Sequence, residues 1–183
     1  MKLWLVRHAQ VLFAPGTCYG ALDVPAGPEL TLECARALAA VLPSGATINT
    51  SPLQRCEQLT QALIGLRPDL TYKTDARLQE MNFGTWEGRP WADIPLGEFE
   101  VWTANFADHA VGGHGDSVGT LMARVAQAFD ELPQAPDTVW ITHAGIIRAA
   151  ELVASGVRQV SRPDQWPRDG VACGQWRTLE LPQ

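Results

Sequence analysis

The chain has 183 residues, of which 46% are hydrophobic and 19% are charged, the proportions of an ordinary globular protein with one sizeable core. Fourteen Lys and Arg residues stand against twenty Asp and Glu residues, which gives a formal net charge of -6. This balance argues against nucleic acid or an anionic membrane as the partner, so any anion site must be a local concentration of positive charge.

Neither targeting nor metal binding is indicated by the sequence. Its longest apolar runs fall short of a membrane span, and the run at residues 3–6 is too short for a signal peptide. The four cysteines lack the spacing of a metal site, which predicts free thiols in a reducing compartment. We therefore expect a cytoplasmic protein.

The first elements alternate between strand and helix. The apolar run at residues 2–6 predicts a buried strand. A stretch rich in Pro and Gly predicts a long irregular loop over residues 9–30, of a length that is usually functional. Apolar residues on one helical face then predict a helix from Thr31, as its N-cap, to Leu42.

A second strand and helix follow directly. Residues 46–50 predict the strand, and Ser51 and Pro52 predict the helix start, as N-cap and first helical residue. This helix should run to a break at Pro68, before a short strand at residues 70–74.

The second half of the chain begins with a segment rich in Gly, Pro and Trp over residues 84–117, which we interpret as a lid or insertion. Its tryptophans are expected to pack in the core or the lid, although one of them could line a substrate pocket. The remaining predicted elements are a helix over 117–132, a strand over 138–142, a helix over 146–154 and a last strand over 171–181. Alternating strands and helices predict one three-layer α/β/α sandwich over residues 1–183, with a mostly parallel sheet.

Cationic side chains recur where predicted strands end. Arg7 and His8 follow the first strand, Arg55 follows the second, and His143 follows the strand at 138–142. Open α/β sheets bind ligands at the carboxyl ends of their strands, so these groups are expected to form a phosphate site. Within it, Arg7 suits clamping and His8 suits nucleophilic attack. Taken singly, each is more often a solvated surface arginine or a structural histidine than a functional residue.

An acid is also needed to protonate the departing oxygen. Glu80 lies among apolar residues and is our first candidate, and Glu87 is the second. A solvated loop glutamate is the competing interpretation. His109 and His114 are interpreted as solvated loop residues because their spacing fits no common metal site.

Four segments, in order along the chain, resemble motifs of the histidine phosphatase superfamily, phosphoglycerate mutase-like branch. Residues 5–9 (Leu-Val-Arg-His-Ala) resemble its R-H-G signature, and residues 51–60 resemble its S-P-L-x-R segment. Residues 78–88 resemble its L-x-E-x-x-F-G-x-W-E-G stretch, and residues 142–145 resemble its second-histidine motif. Ala9 departs from the family glycine.

The resemblance implies a phosphoglycerate mutase-like fold and hydrolysis of a phosphomonoester through a phosphohistidine at His8. It further implies that Arg7, Arg55 and His143 hold the phosphoryl oxygens, that Glu80 is the proton donor, and that no metal or other cofactor is required. The expected partner is a small phosphorylated metabolite, and the expected state is a monomer or homodimer.

Within the superfamily, the compact length and the Cys18-Tyr19-Gly20 segment are most similar to the alpha-ribazole phosphatases of cobalamin biosynthesis. Two alternatives remain open. One is phosphoryl transfer of the phosphoglycerate mutase type, and the other is an inactive scaffold that binds a phosphorylated ligand.

Overall fold

The computed structural model describes residues 1–181. Within this range the chain forms one sheet with the strands β1 (Lys2–Arg7), β2 (Thr47–Thr50), β3 (Thr71–Thr74), β4 (Thr138–Thr142) and β5 (Trp176–Glu180). Its α-helices are α1 (Pro28–Val41), α2 (Gln54–Leu66), α3 (Leu96–Ala104), α4 (Val118–Asp130) and α5 (Ala144–Ala154). None of the helices in residues 1–181 is both long enough and apolar enough to cross a lipid bilayer.

The strands lie in the order β3-β2-β4-β1-β5. The first four are parallel, and β5 pairs with β1 in the antiparallel direction. The prediction of a mostly parallel sheet is therefore confirmed. Because β2, β4 and β1 are neighbours, the residues that follow these three strands meet at one edge of the sheet.

Side chains on the two faces of β1 belong to different cores, because successive strand residues point to opposite faces. Leu3 and Leu5 pack in one core with Trp140, and this core includes the buried faces of α4 and α5. Trp4 and Val6 belong to the other core, which includes the buried faces of α1 and α2. The three-layer sandwich is confirmed.

Residues 84–117 are attached to the first core through aromatic side chains. Trp86 is fully buried, with ring centroids 4.9 Å from Phe99 and 5.7 Å from Trp102. Its indole N–H donates to the carboxylate of Glu98. The segment contains α3 and single-turn helices at Gly84–Trp86, Trp91–Asp93 and Val111–Gly113. Its role as a lid stays a prediction.

Two predicted helix starts are wrong. Helix α1 begins at Pro28, with Gly27 as N-cap, because proline is favourable in the first helical turn. Thr31 is inside the helix and donates its hydroxyl to the Gly27 carbonyl. The start of α2 moves in the other direction, to Gln54, because Leu53 retains an extended backbone.

Other boundaries shift by a few residues. Ser117 caps α4 as predicted, and its hydroxyl accepts from the Thr120 amide. Helix α3 covers Leu96–Ala104, inside the segment interpreted as a lid or insertion. Helix α5 starts two residues earlier than predicted, directly after His143. The last strand is shorter than predicted, since only the part paired with β1 forms regular structure.

Candidate active site

The ends of three adjacent parallel strands bring His8, Ser51 and His143 together. The His8 amide donates to the Thr142 carbonyl at 3.1 Å, and the Ser51 amide donates to the Ile141 carbonyl at 2.9 Å. The sheet ladder thus continues into the residues of the site, and their backbone positions are fixed by hydrogen bonds. The ring centroids of His8 and His143 lie 5.1 Å apart.

The imidazole of His8 is 2% exposed and is oriented by its own neighbour. Its Nδ1 lies 2.7 Å from the Ala9 carbonyl oxygen. Since a carbonyl oxygen only accepts, Nδ1 must carry the proton, and Nε2 holds the free lone pair. This is the tautomer that a nucleophile acting through Nε2 needs.

Burial keeps this imidazole neutral. The pKa of His8 falls from its ordinary value near 6.5 to about 3, mainly because burial disfavours the charged form. The nearby charges of Arg55 and Arg7 lower it further, and the bond to Ala9 acts in the opposite direction. At neutral pH the lone pair of Nε2 is therefore available.

The side chain of Arg55 is fully buried at the base of the site. Its Nη1 donates to the Leu22 carbonyl at 2.8 Å, and its Nη2 donates to the Gly20 carbonyl at 2.6 Å. Its Nε lies 3.3 Å from His143 Nδ1. These bonds use three of the five guanidinium donors, which leaves two for a ligand.

Arg55 also fixes the tautomer of His143. Because the guanidinium only donates, Nδ1 of His143 accepts, and its Nε2 carries a proton that it donates to Ser51 Oγ at 2.8 Å. Burial, followed by the electrostatic effect of the neighbouring His8 and Arg55, holds the pKa of His143 well below its ordinary value. His143 lies in the site as predicted, but both of its ring nitrogens already have protein partners.

Ser51 therefore has a place that the sequence did not indicate. Its hydroxyl accepts from His143 and, at 3.3 Å, from the Leu53 amide. This second contact is two residues along the chain, in the turn that precedes α2, so Ser51 is not the predicted N-cap. No local signal separates a serine that caps a helix from one that contacts a histidine 92 residues away.

Arg7 approaches the site from the end of β1. Its Nη1 donates to the Val171 carbonyl at 2.9 Å. Its Nε is buried and has no acceptor among residues 1–181. An unpaired buried donor is costly, and a bound anion would satisfy it.

Glu80 is positioned by backbone amides. Its Oε1 accepts from the Met81 amide at 3.0 Å, and its Oε2 accepts from the Gly145 amide at 3.0 Å, at the start of α5. A Cβ at position 145 would overlap Glu80 Oε1, so the glycine makes room for the carboxylate. The carboxylate of Glu80 is thus fixed at the site.

Glu87, the second candidate acid, has a different place. Its carboxylate accepts from the amides of Ala21, Leu22 and Phe83 at 2.8 to 3.0 Å. It does not contribute to the lining of the cavity beside His8. These bonds tie the loop of Gly20, whose carbonyl binds Arg55, to the segment after Glu80.

A cavity of about 170 Å³, which we call the phosphate pocket, joins these groups. Its lining includes all five predicted site residues, Arg7, His8, Arg55, Glu80 and His143. It also includes Thr17, Tyr19, Gly20, Phe83, Trp91 and Ala144. The ring of Tyr19 lies under the Arg55 guanidinium, with 5.4 Å between the ring centroid and Cζ of Arg55. Trp91 is the tryptophan that reaches the pocket.

His109 and His114 lie outside the phosphate pocket. In the described part of the chain, no group of three or more His, Cys, Asp or Glu side chains is arranged to hold a metal ion. All four cysteines are free, as predicted.

The sequence is similar to a described protein family and to named relatives. The family model described as histidine phosphatase superfamily (branch 1) matches residues 3–168. A Yersinia pestis protein named "Probable phosphoglycerate mutase GpmB" is 32% identical over 152 residues, which cover 78% of this chain and 69% of that protein.

Solved structures show the same fold. The mycobacterial glucosyl-3-phosphoglycerate phosphatase in complex with VO3 has a TM-score of 0.80 at 24% identity, covering 98% of this chain and 90% of that one. An Escherichia coli K-12 protein described as "a putative alpha-ribazole-5'-P phosphatase" has a TM-score of 0.81 at 21% identity, covering 100% of this chain and 91% of that one. At these identities the likeness establishes the fold alone.

Proposed function

This chain belongs to the histidine phosphatase superfamily (branch 1), and we propose that it is a phosphomonoester hydrolase that acts through a phosphohistidine at His8. The observation that carries the proposal is the Nδ1 bond of His8 to Ala9, which leaves Nε2 as a neutral nucleophile in a pocket with two arginines. If His8 were only a general base or a structural residue, it would not need anion-binding arginines beside it.

In the first step, Nε2 of His8 forms a bond to phosphorus as the ester P–O bond breaks. The departing oxygen takes a proton from the carboxylic acid of Glu80, so the alcohol leaves neutral. In the second step, water attacks phosphorus and gives its proton to Glu80 as the P–N bond breaks. Inorganic phosphate leaves, and Glu80 is again the acid for the next turnover.

The charge that develops on the phosphoryl oxygens is neutralised by arginine side chains. Arg55 has two unused guanidinium donors, and the Nε of Arg7 has no other acceptor in the described structure. Fixed cationic donors of this kind stabilise a transferring phosphoryl group. We propose that they make the reaction independent of a metal ion.

His143 requires one rearrangement to bind phosphate. Its Nε2–H donates to Ser51 in this structure, and we propose that this proton turns to a phosphoryl oxygen when the substrate binds. Ser51 Oγ can then donate to the same anion. Arg55 continues to hold Nδ1 and so keeps the imidazole in the tautomer that donates from Nε2.

The phosphoenzyme is the direct test. Rapid mixing with a ³²P-labelled phosphomonoester and quenching in base should trap an acid-labile phosphate on the wild-type protein. His8→Ala should abolish both the trapped phosphate and the release of inorganic phosphate. His114→Ala, at an exposed histidine outside the phosphate pocket, is the matched control and should behave as wild type. Turnover by His8→Ala near the wild-type rate would disprove the mechanism.

We propose alpha-ribazole 5'-phosphate as the first substrate to assay. Hydrolysis of this ester would place the protein in cobalamin biosynthesis. Its support is the similarity of the loop around Tyr19, together with the aromatic residues Phe83 and Trp91 on the phosphate pocket. A panel of phosphorylated metabolites that includes this compound and glucosyl-3-phosphoglycerate tests the assignment. A higher kcat/KM for another member would replace it.

Mutase activity is the second candidate, because a relative at 32% identity is named "Probable phosphoglycerate mutase GpmB". A mutase must return the phosphoryl group of His8 to a second substrate before water removes it. An assay for isomerisation of 2- and 3-phosphoglycerate separates the two. Isomerisation faster than phosphate release would favour the mutase.

A further inference from the structure

A second cavity adjoins the phosphate pocket. It has a volume of about 340 Å³ and shares Glu80, Phe83 and Ala144 with the phosphate pocket. Most of its other walls are apolar or aromatic, formed by Trp102, Phe106, Val118, Leu121 and Trp166. We call it the apolar cavity.

The position of Glu80 indicates which part of the substrate faces the apolar cavity. The acid must touch the oxygen that leaves phosphorus, and the rest of the leaving group continues away from the phosphoryl group. Glu80 lies on the boundary of the two cavities, with His8 on the phosphate side only. A phosphoryl group beside His8 therefore places the leaving group at the entrance of the apolar cavity.

Two polar groups in the walls are unpaired. Arg148 Nε and Trp102 Nε1 are buried, and neither has a hydrogen-bond acceptor within residues 1–181. Both side chains line the apolar cavity. Since a buried donor without an acceptor costs free energy, a ligand that supplies an acceptor is favoured there over one that is wholly apolar.

We propose that the apolar cavity binds the leaving group of the substrate, and that this group is an aromatic ring system bearing a hydrogen-bond acceptor. This inference rests on the proposed function, because it takes Glu80 as the acid. It adds Arg148 and Trp102 as residues that determine substrate specificity. It also predicts that the preferred substrate does not have a compact, fully polar leaving group.

The first test compares two alkyl esters of similar leaving ability, 2-naphthylmethyl phosphate and ethyl phosphate. Burying the extra rings should raise kcat/KM by about tenfold or more. Thr103 lines the apolar cavity but is itself exposed, so Thr103→Trp should fill the cavity without disturbing the core. We expect this variant to reduce the ratio of the two kcat/KM values to near one.

Val101→Trp is the matched control, because Val101 is exposed on the same helix and is not part of the cavity lining. It should retain the wild-type ratio. Equal kcat/KM values for the two esters in the wild-type protein, or an unchanged ratio in Thr103→Trp, would overturn the inference while leaving phosphohistidine chemistry intact.

Binding of phosphonates separates the inference from the proposed function. The wild-type protein should bind 2-(2-naphthyl)ethylphosphonate about tenfold more tightly than propylphosphonate, and Thr103→Trp should remove the difference. If this pattern appears without any turnover of the esters, the apolar cavity is supported and the proposed function fails. If turnover occurs without the binding preference, the inference fails alone.

The acceptor is tested with Arg148→Met and positional isomers of carboxy-2-naphthylmethyl phosphate. At least one isomer should exceed the parent ester in kcat/KM with the wild-type protein, by about tenfold. Arg148→Met should lose that gain, so that the carboxylated isomer and the parent ester have similar kcat/KM values with this variant. If no isomer gains, or if Arg148→Met retains the gain, the acceptor is not part of the ligand.

Discussion

The phosphate pocket and the apolar cavity meet at Glu80 but are built in different ways. The side chains of His8, Arg55 and His143 are at most 2% exposed, and protein atoms hold each of them. The walls of the apolar cavity include half-buried side chains from α3 and, at Trp166, from the residue that follows the single-turn helix Pro163–Gln165. The residues of the phosphate pocket are thus positioned by the sheet. The fit to the leaving group depends on the more exposed segments that line the apolar cavity.

This difference predicts that the two regions tolerate amino-acid substitutions unequally. A change of a few atoms in the phosphate pocket leaves buried donors or acceptors unpaired, which costs about 1–3 kcal/mol for each group. A change in the apolar cavity alters mainly the apolar contacts of the leaving group. Substitutions in the two regions should therefore separate rate from specificity.

The largest expected effect is that of Arg55→Met. Removing the guanidinium removes two phosphate donors and the partner of His143, so kcat/KM should fall by about 10³-fold for every ester. Arg55→Lys keeps the charge without the planar fork and should recover only part of the loss. Steady-state kinetics measures kcat/KM for both variants. Circular dichroism checks that they fold, because in Arg55→Met the Gly20 and Leu22 carbonyls lose their hydrogen-bond donors.

The corresponding control is Arg36→Met on the exposed face of α1, which should leave kcat/KM unchanged. A folded Arg55→Met protein with wild-type kinetics would mean that Arg55 is structural.

Gly145→Ala should have the next largest effect. The added methyl group would displace the Glu80 carboxylate, whose end is flexible, while the fold is retained. For alkyl esters kcat/KM, which reports formation of the phosphohistidine, should fall by about 10²-fold. For an ester with a good leaving group such as 2,4-dinitrophenyl phosphate, kcat/KM should be almost unaffected. Gly65→Ala, where an added Cβ meets no other atom, is the control. Equal losses for both types of ester would remove Glu80 from the role of acid.

The stability of the protein should depend on pH through His8. Its pKa is about 3 in the folded protein and near 6.5 in the unfolded chain, so between these values the unfolded state binds more protons. The free energy of unfolding should therefore fall as the pH falls below about 6.5. Between about pH 7 and pH 5 the wild-type protein should lose ~2 kcal/mol more than His8→Gln does.

Urea denaturation at the two pH values measures this difference, with His114→Gln as the control at an exposed histidine. A difference between wild type and His8→Gln that does not change with pH would show that His8 has the same pKa in the folded and unfolded states. Burial would then not be what keeps the imidazole neutral.

The smallest effect is expected for Glu87→Gln. The amide keeps one oxygen acceptor for the three backbone donors, so the free energy of unfolding should fall by about 1 kcal/mol, with kcat/KM changed by less than about threefold. Denaturation and kinetics on the same preparation test this. A loss of kcat/KM for alkyl esters as large as that of Gly145→Ala would restore Glu87 as a candidate acid.

Local patterns in the sequence predicted most of the sheet and the content of the phosphate pocket. Apolar runs gave the positions of β1 and β4, and their following residues gave Arg7, His8 and His143. Helix starts were less predictable. Thr31 and Ser51 both have the chemistry of an N-cap, but Pro28 starts α1 and the extended backbone of Leu53 delays α2.

The sequence by itself determined which chemical groups stand at the ends of the strands, because strand periodicity and residue type are local properties. Only the tertiary structure decided that Ser51 binds His143, that Gly145 makes room for Glu80, and that an apolar cavity opens beside this acid. These contacts join residues that are distant in the chain. They depend on the order of strands in the sheet and on burial, which no single segment encodes.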